Sequence, residues 1–130
     1  MNLESTKVTV EKSAEYMFNA LQDIKNFEKL MPDNIAKFEV IDENCFEFGL
    51  KGMPEIKLVK KEATPHFKIV LGAASSKLPF TLTSNITTLE ENKTEIQLLF
   101  DGEFNAMMAM MIKGPIGKFI ETLAQNMHKL

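Results

Sequence analysis

Tryptophan and arginine are absent from the 130 residues, cysteine and tyrosine occur once each, and histidine occurs twice. Without arginine the chain lacks the planar fork that usually grips phosphates and carboxylates. All fifteen basic residues are lysines scattered through a chain of net charge −3, which argues against nucleic-acid binding. A lone Cys45 makes no intramolecular disulfide, so nothing points to an oxidising compartment, and a cytoplasmic protein is expected. His66 and His128 fall on polar faces, far apart in sequence and without carboxylates at ligand spacing, so neither a metal nor a cofactor is expected. Nucleophile elbows, phosphate-cradling glycine loops, His-Glu-x-x-His and Cys-x-x-Cys motifs are missing. No apolar run is long enough to span a bilayer, so stable membrane insertion is not expected, and the opening MNLESTKVTV lacks the layout of a signal peptide.

What the chain does have is grease. Ten phenylalanines and nine methionines carry the large apolar volume, within 45% hydrophobic and 25% charged residues. These side chains bring no hydrogen-bonding handle, so an apolar interior is expected in a single domain over residues 1–130.

The most informative stretch is the last, Asn105 to Leu130. On a helical wheel Ile116, Phe119, Ile120, Leu123, Met127 and Leu130 share one face, opposite Lys118, Glu121, Thr122, Gln125, His128 and Lys129. A helix from Ala106 to the end would be about 37 Å long, roughly the diameter of a compact chain of this size. Residues 106–112 are apolar all round: Met108, Ala109 and Ile112 extend the buried stripe, while Met107, Met110 and Met111 continue the polar face. Gly114-Pro115 predicts a kink or break, with Pro115 suited to open a fresh helix.

Upstream, Glu4 to Val10 alternates as a strand with Thr6, Val8 and Val10 on one side. Ser13 caps a helix carrying Met17, Phe18 and Leu21. Asp23 caps a second, Ile24 to Met31, with Phe27, Leu30 and Met31 inward and Pro32 at its end. From Ala36 the period becomes two. Phe38 and Val40 lead to a turn at Asp42-Glu-Asn44, after which Phe46, Phe48 and Leu50 alternate inward. A turn follows at Lys51-Gly-Met-Pro54. Ile56 and Leu58 precede Lys60, Lys61 and Glu62, charged as a sheet edge or a projecting end would be. Phe67, Ile69 and Leu71 face one way. After the small-residue loop 72–77, Phe80, Leu82, Ser84 and Ile86 alternate with threonines and Asn85. Ile96, Leu98, Phe100 and Phe104 line the last strand. The order predicts an α+β fold in which an antiparallel meander buries one face under the terminal helix.

That arrangement resembles the helix-grip fold of the START-like superfamily, also called SRPBCC: a curved sheet of about seven strands, two short helices after the first strand, and a long C-terminal helix across it. The local text agrees in Lys7-Val-Thr-Val-Glu-Lys-Ser13, Glu15-Tyr-Met-Phe18 and Leu21-Gln-Asp23-Ile-Lys-Asn-Phe27, then Met31-Pro32. The stretch Asp23 to Pro32 is similar to the coenzyme-Q-binding branch, and Gly114-Pro-Ile-Gly117 to the carbon-monoxide-dehydrogenase-associated branch. The polyketide cyclases belong to the same superfamily. The resemblance implies a cavity between sheet and helix.

The resulting expectation is non-enzymatic binding of a hydrophobic small molecule, of the lipid, isoprenoid or quinone class, in that cavity. Candidate ligand-binding residues are Phe27, Met31, Phe46, Phe48, Leu58 and Phe67, then Ile69, Phe80, Leu82, Ser84, Leu98 and Phe100. Met108, Ile112, Ile116, Phe119 and Ile120 add the helix side. Such a set also reads as plain core. Thr6, Ser84 and Tyr16 are read either as hydroxyls bonded to nearby backbone or as groups that orient a ligand. No inward carboxylate can be placed, so no catalytic residue is assigned. Two alternatives stand: a polyketide cyclase- or dehydratase-like enzyme on the same fold, and a dimeric interaction module without ligand. Met107, Met110 and Met111 would meet the helix pair, a second copy of the chain, or a lipid as a flexible gate.

Overall fold

The computed structural model describes residues 1–52, 55–74 and 80–130. Met53, and parts of the turn expected at 51–54 and the loop expected at 72–77, lie outside the described residues. Among the described residues eight strands form one antiparallel sheet: β1 Asn2–Glu4, β2 Val8–Val10, β3 Ile35–Asp42, β4 Cys45–Leu50, β5 Ile56–Thr64, β6 Lys68–Ala73, β7 Phe80–Glu90 and β8 Lys93–Gly102. The strand order is β1-β8-β7-β6-β5-β4-β3, with β2 also paired to β8. Helix α1, Ala14–Gln22, and a 3₁₀ helix, Ile24–Leu30, connect β2 to β3. Helix α2, Ala106–Gln125, follows β8 and crosses the sheet, and a 3₁₀ turn, Met127–Lys129, closes the chain. No helix among the described residues is long and apolar enough to cross a membrane.

The caps fall where the sequence places them. Ser13 Oγ accepts from the Tyr16 amide at 3.0 Å, and Asp23 Oδ1 accepts from the Lys25 amide at 3.2 Å. Each satisfies an amide that the first turn leaves without a partner. Met17, Leu21, Ile24, Phe27 and Leu30 are buried, so both short helices close one half of the sheet.

The expected first strand is two strands. Glu4 pairs with Leu99 but Val8 with Ile96, so one extra residue sits on the N-terminal side. This bulge turns Thr6 outward and Ser5 inward. Ser5 donates its amide to the Leu98 carbonyl at 2.9 Å, and its Oγ accepts the Leu98 amide at 2.9 Å. The hydroxyl thus replaces the ladder partner that the bulge removes. Lys60 to Glu62 lie on an interior strand, at a register shift in the β5–β6 hairpin, so a projecting end accounts for their charge and a sheet edge does not.

Helix α2 also departs from expectation. It runs without interruption through Pro115 from Asn105, whose side chain accepts from the Met108 amide at 2.8 Å. The proline leaves the Met111 carbonyl without its helical donor, on a turn where the Met111 side chain is 67% exposed. Solvent can take that bond, so the helix continues.

Candidate functional site

Between the sheet and α2 lies a cavity of about 90 Å³. Phe48 of β4, Ile56 and Leu58 of β5, Phe80 and Leu82 of β7, and Phe100 of β8 form its sheet side. Phe104 closes one end, and Met108, Ile112, Ile116, Phe119 and Ile120 form the helix side. Spacings of three and four residues along α2 make these last five a single stripe. Among the described residues every lining side chain is apolar and offers water no partner.

Two aromatic runs shape the walls. Phe27 stacks on Phe46 at 5.4 Å, Phe46 meets Phe48 at 6.1 Å, and Phe48 stacks on Phe119 at 4.9 Å and 8°. Phe80 stacks on Phe100 at 5.0 Å, and Phe100 on Phe104 at 6.1 Å. Gly102 makes the second run possible: a Cβ there would meet the Phe104 ring at 2.5 Å and Phe80 Cβ at 2.9 Å. Only a residue without a side chain lets Phe104 fold back over the sheet.

Ten of the seventeen candidate residues surround this cavity: Phe48, Leu58, Phe80, Leu82, Phe100, Met108, Ile112, Ile116, Phe119 and Ile120. Six others are buried elsewhere. Phe27, Met31 and Phe46 pack in the core around the 3₁₀ helix. Ile69, Ser84 and Leu98 are paired across β6, β7 and β8, one inward row away from Leu71, Leu82 and Phe100. Phe67 is a correction. Its strand begins only at Lys68, and Phe67 sits in the preceding turn, 69% exposed. Strand parity put it inward, but the turn releases it from the sheet's alternation. Ile56 and Phe104 complete the lining. Periodicity puts Phe104 on an inward face and Ile56 within an alternating strand, but singles out neither for the site.

Of the hydroxyls, that of Thr6 finds a surface partner and that of Ser84 is buried. Thr6 is exposed and binds Glu121, its Oγ1 donating to Oε2 at 2.6 Å and its amide to Oε1 at 2.9 Å. Tyr16 is half exposed, with Lys12 Nζ 4.9 Å from its ring centroid. Thr94, buried and not singled out by sequence, donates to the Lys12 carbonyl at 2.6 Å. No buried side-chain polar atom among the described residues lacks a partner. Hydrogen bonds from Gln125 and Thr6 hold the Glu121 carboxyl below its ordinary range, while burial pushes the Cys45 thiol up. His66 and His128 are exposed, and the described residues hold no cluster of ligating side chains for a metal.

Neither the protein-family models nor the curated proteins include a match to this sequence. Solved structures do match in fold. Norcoclaurine synthase from Thalictrum flavum, as a point mutant in complex with a transition-state analogue, superposes with a TM-score of 0.76 at 11% identity, covering 99% of this chain and 92% of that one. A START superfamily protein from Mycobacterium smegmatis gives 0.72 at 15% identity, over 98% and 94%. A conserved protein from Geobacillus kaustophilus gives 0.70 at 14%, over 99% and 93%. The fold is START-like.

Proposed function

We propose that this protein binds a hydrophobic small molecule in the cavity between its curved sheet and helix α2. The observation that carries the reading is the apolar lining, among the described residues, of the space between sheet and helix. Binding would remove the ligand's apolar surface from water, at about 25 cal/mol per Å² before the cost of association. Norcoclaurine synthase has also been solved with dopamine and hydroxybenzaldehyde, which supports a ligand site on this fold. Among the described residues the lining holds no acid or base, which favours the binding reading over the cyclase-like one.

A cavity-filling variant tests it. Ile112 is half-buried on the helix side, and Ile112→Phe adds volume where space exists. The variant should keep or raise the thermal midpoint and lose binding of a neutral apolar fluorescent probe by roughly tenfold or more. Unchanged probe affinity in a folded variant would refute the site.

Exposure supports a second reading. Met107, Met110 and Met111 are 74%, 83% and 67% exposed, so the helix pair does not cover them. Adaptable methionines on one helix face suit self-association. Sedimentation should then show a concentration-dependent dimer abolished by Met110→Asp with Met111→Asp, and a monomer at every concentration removes this reading.

A further inference from the structure

Next to the apolar cavity, on the adjoining stripe of α2, runs an open groove of about 600 Å³. Gly114, Pro115, Lys118 and Thr122 form its helix wall; Asn34 and the Lys51–Gly52 turn form much of the other. The Lys51 amide donates to the Asn34 carbonyl at 3.0 Å, and Gly52 turns the chain at a φ of 81°. Asn126 Nδ2 donates to the Leu30 carbonyl at 3.0 Å, tying the end of α2 to the 3₁₀ helix that precedes this wall. The groove is therefore framed by backbone and not by loose side chains. Among the described residues Phe119 alone lines both spaces.

The electrostatics of the two spaces differ. Among the described residues the cavity offers nothing to a polar group, whereas the groove presents two lysines, an amide and a hydroxyl and is lined by no acid. Among the described residues neither Lys51 nor Lys118 makes an ion pair. Of the nearby carboxylates, Glu121 holds Thr6 and Gln125 and Glu55 faces Lys37 at 3.3 Å, while Asp33, exposed between the lining residues Pro32 and Asn34, does not itself line the groove. An amphiphile whose chain occupies the cavity must leave its head outside, and the adjoining groove is complementary to a compact anion.

We propose that the ligand is a single-chain carboxylate, the end of its apolar chain in the cavity, the rest of the chain passing Phe119 along the groove, and its head between Lys51 and Lys118. This deepens the cavity reading above and rests on it. A neutral isoprenoid or quinone would leave both cations unused.

The test is displacement of a neutral probe, N-phenyl-1-naphthylamine, from the full chain by dodecanoate and by dodecanol, near neutral pH. Dodecanoate should bind roughly tenfold tighter or more, since charge-assisted bonds exceed neutral ones, and salt should weaken it alone. Lys51→Met with Lys118→Met should bring the acid to the level of the alcohol and leave the alcohol unchanged. A matched loss of two exposed charges, Lys7→Met with Lys129→Met, should preserve the preference. Gly114→Leu is a second variant: a Cβ there meets nothing within 4 Å, so the side chain enters the groove without a clash, and only the acid should weaken. Equal affinity for acid and alcohol in the wild type, or a preference that survives loss of both lysines, overturns the head-group site while the cavity stands. Failure of the probe, the acid and the alcohol alike to bind brings down both.

Discussion

Gly102 is the residue on which the cavity's far wall depends. Gly102→Ala forces the Phe104 ring or the Phe80 backbone to move, because the new Cβ would lie 2.5 Å from that ring and 2.9 Å from Phe80 Cβ. Overpacking of this kind costs about 1–3 kcal/mol, so chemical denaturation should show a loss in that range and probe binding should weaken with it. Glu121 makes a different kind of prediction. Its folded-state carboxyl sits below the ordinary value because Gln125 and Thr6 donate to it. Its contribution is therefore full above the ordinary carboxylate range near pH ~4.3, and is lost as pH falls through the lower folded value. The stability gap between wild type and Glu121→Gln should be widest near neutral pH and close on acidification; a gap that widens in acid contradicts the contact. At this scale sequence reading worked by parity and failed where parity failed. Thr6 and Ser5 exchanged faces because a single inserted residue bulges the strand, and Phe67 left the sheet because its turn extends further than Thr64-Pro65 suggests. Neither a bulge nor a turn's last residue has a signature in hydrophobic periodicity.

Helix α2 joins two unlike halves. From Ile116 onward its inner face is buried, whereas none of residues 106–113 is. Pro115 and the open space around Gly114 and Gly117 separate them. Hydrogen exchange should therefore be faster for the amides of 107–113 than for those of 118–124, and Pro115→Ala, which restores a backbone bond, should slow it in the first half. Uniform protection along the helix would contradict a division at Pro115. The helix itself and its buried stripe were legible because period 3.6 persists across the glycines, whereas the sequence left open whether the helix pair covers Met107, Met110 and Met111, which are exposed. Its continuity was not, since Gly-Pro marks a helix boundary in most local contexts and the solvent that satisfies the freed carbonyl is a matter of tertiary position.

For the whole molecule, the cavity follows from curvature. A sheet bent around α1 and the 3₁₀ helix is filled there by Met17, Leu21, Phe27 and Phe46, and runs short of side chains where α2's exposed half crosses it. The fold was readable from element order. Which inward residues surround the void was readable only in part, because Ile69, Leu98 and Ser84 have the same alternation as Leu82 and Phe100 and differ only by one row along the strands. The most direct measurement is native mass spectrometry of gently purified protein, followed by organic extraction and identification of what is released. The expected result is a mass above that of the bare chain and an extractable apolar compound, absent from Ile112→Phe purified in parallel. A bare mass for the wild type, with nothing extracted and no apolar probe taken up on addition, would contradict it.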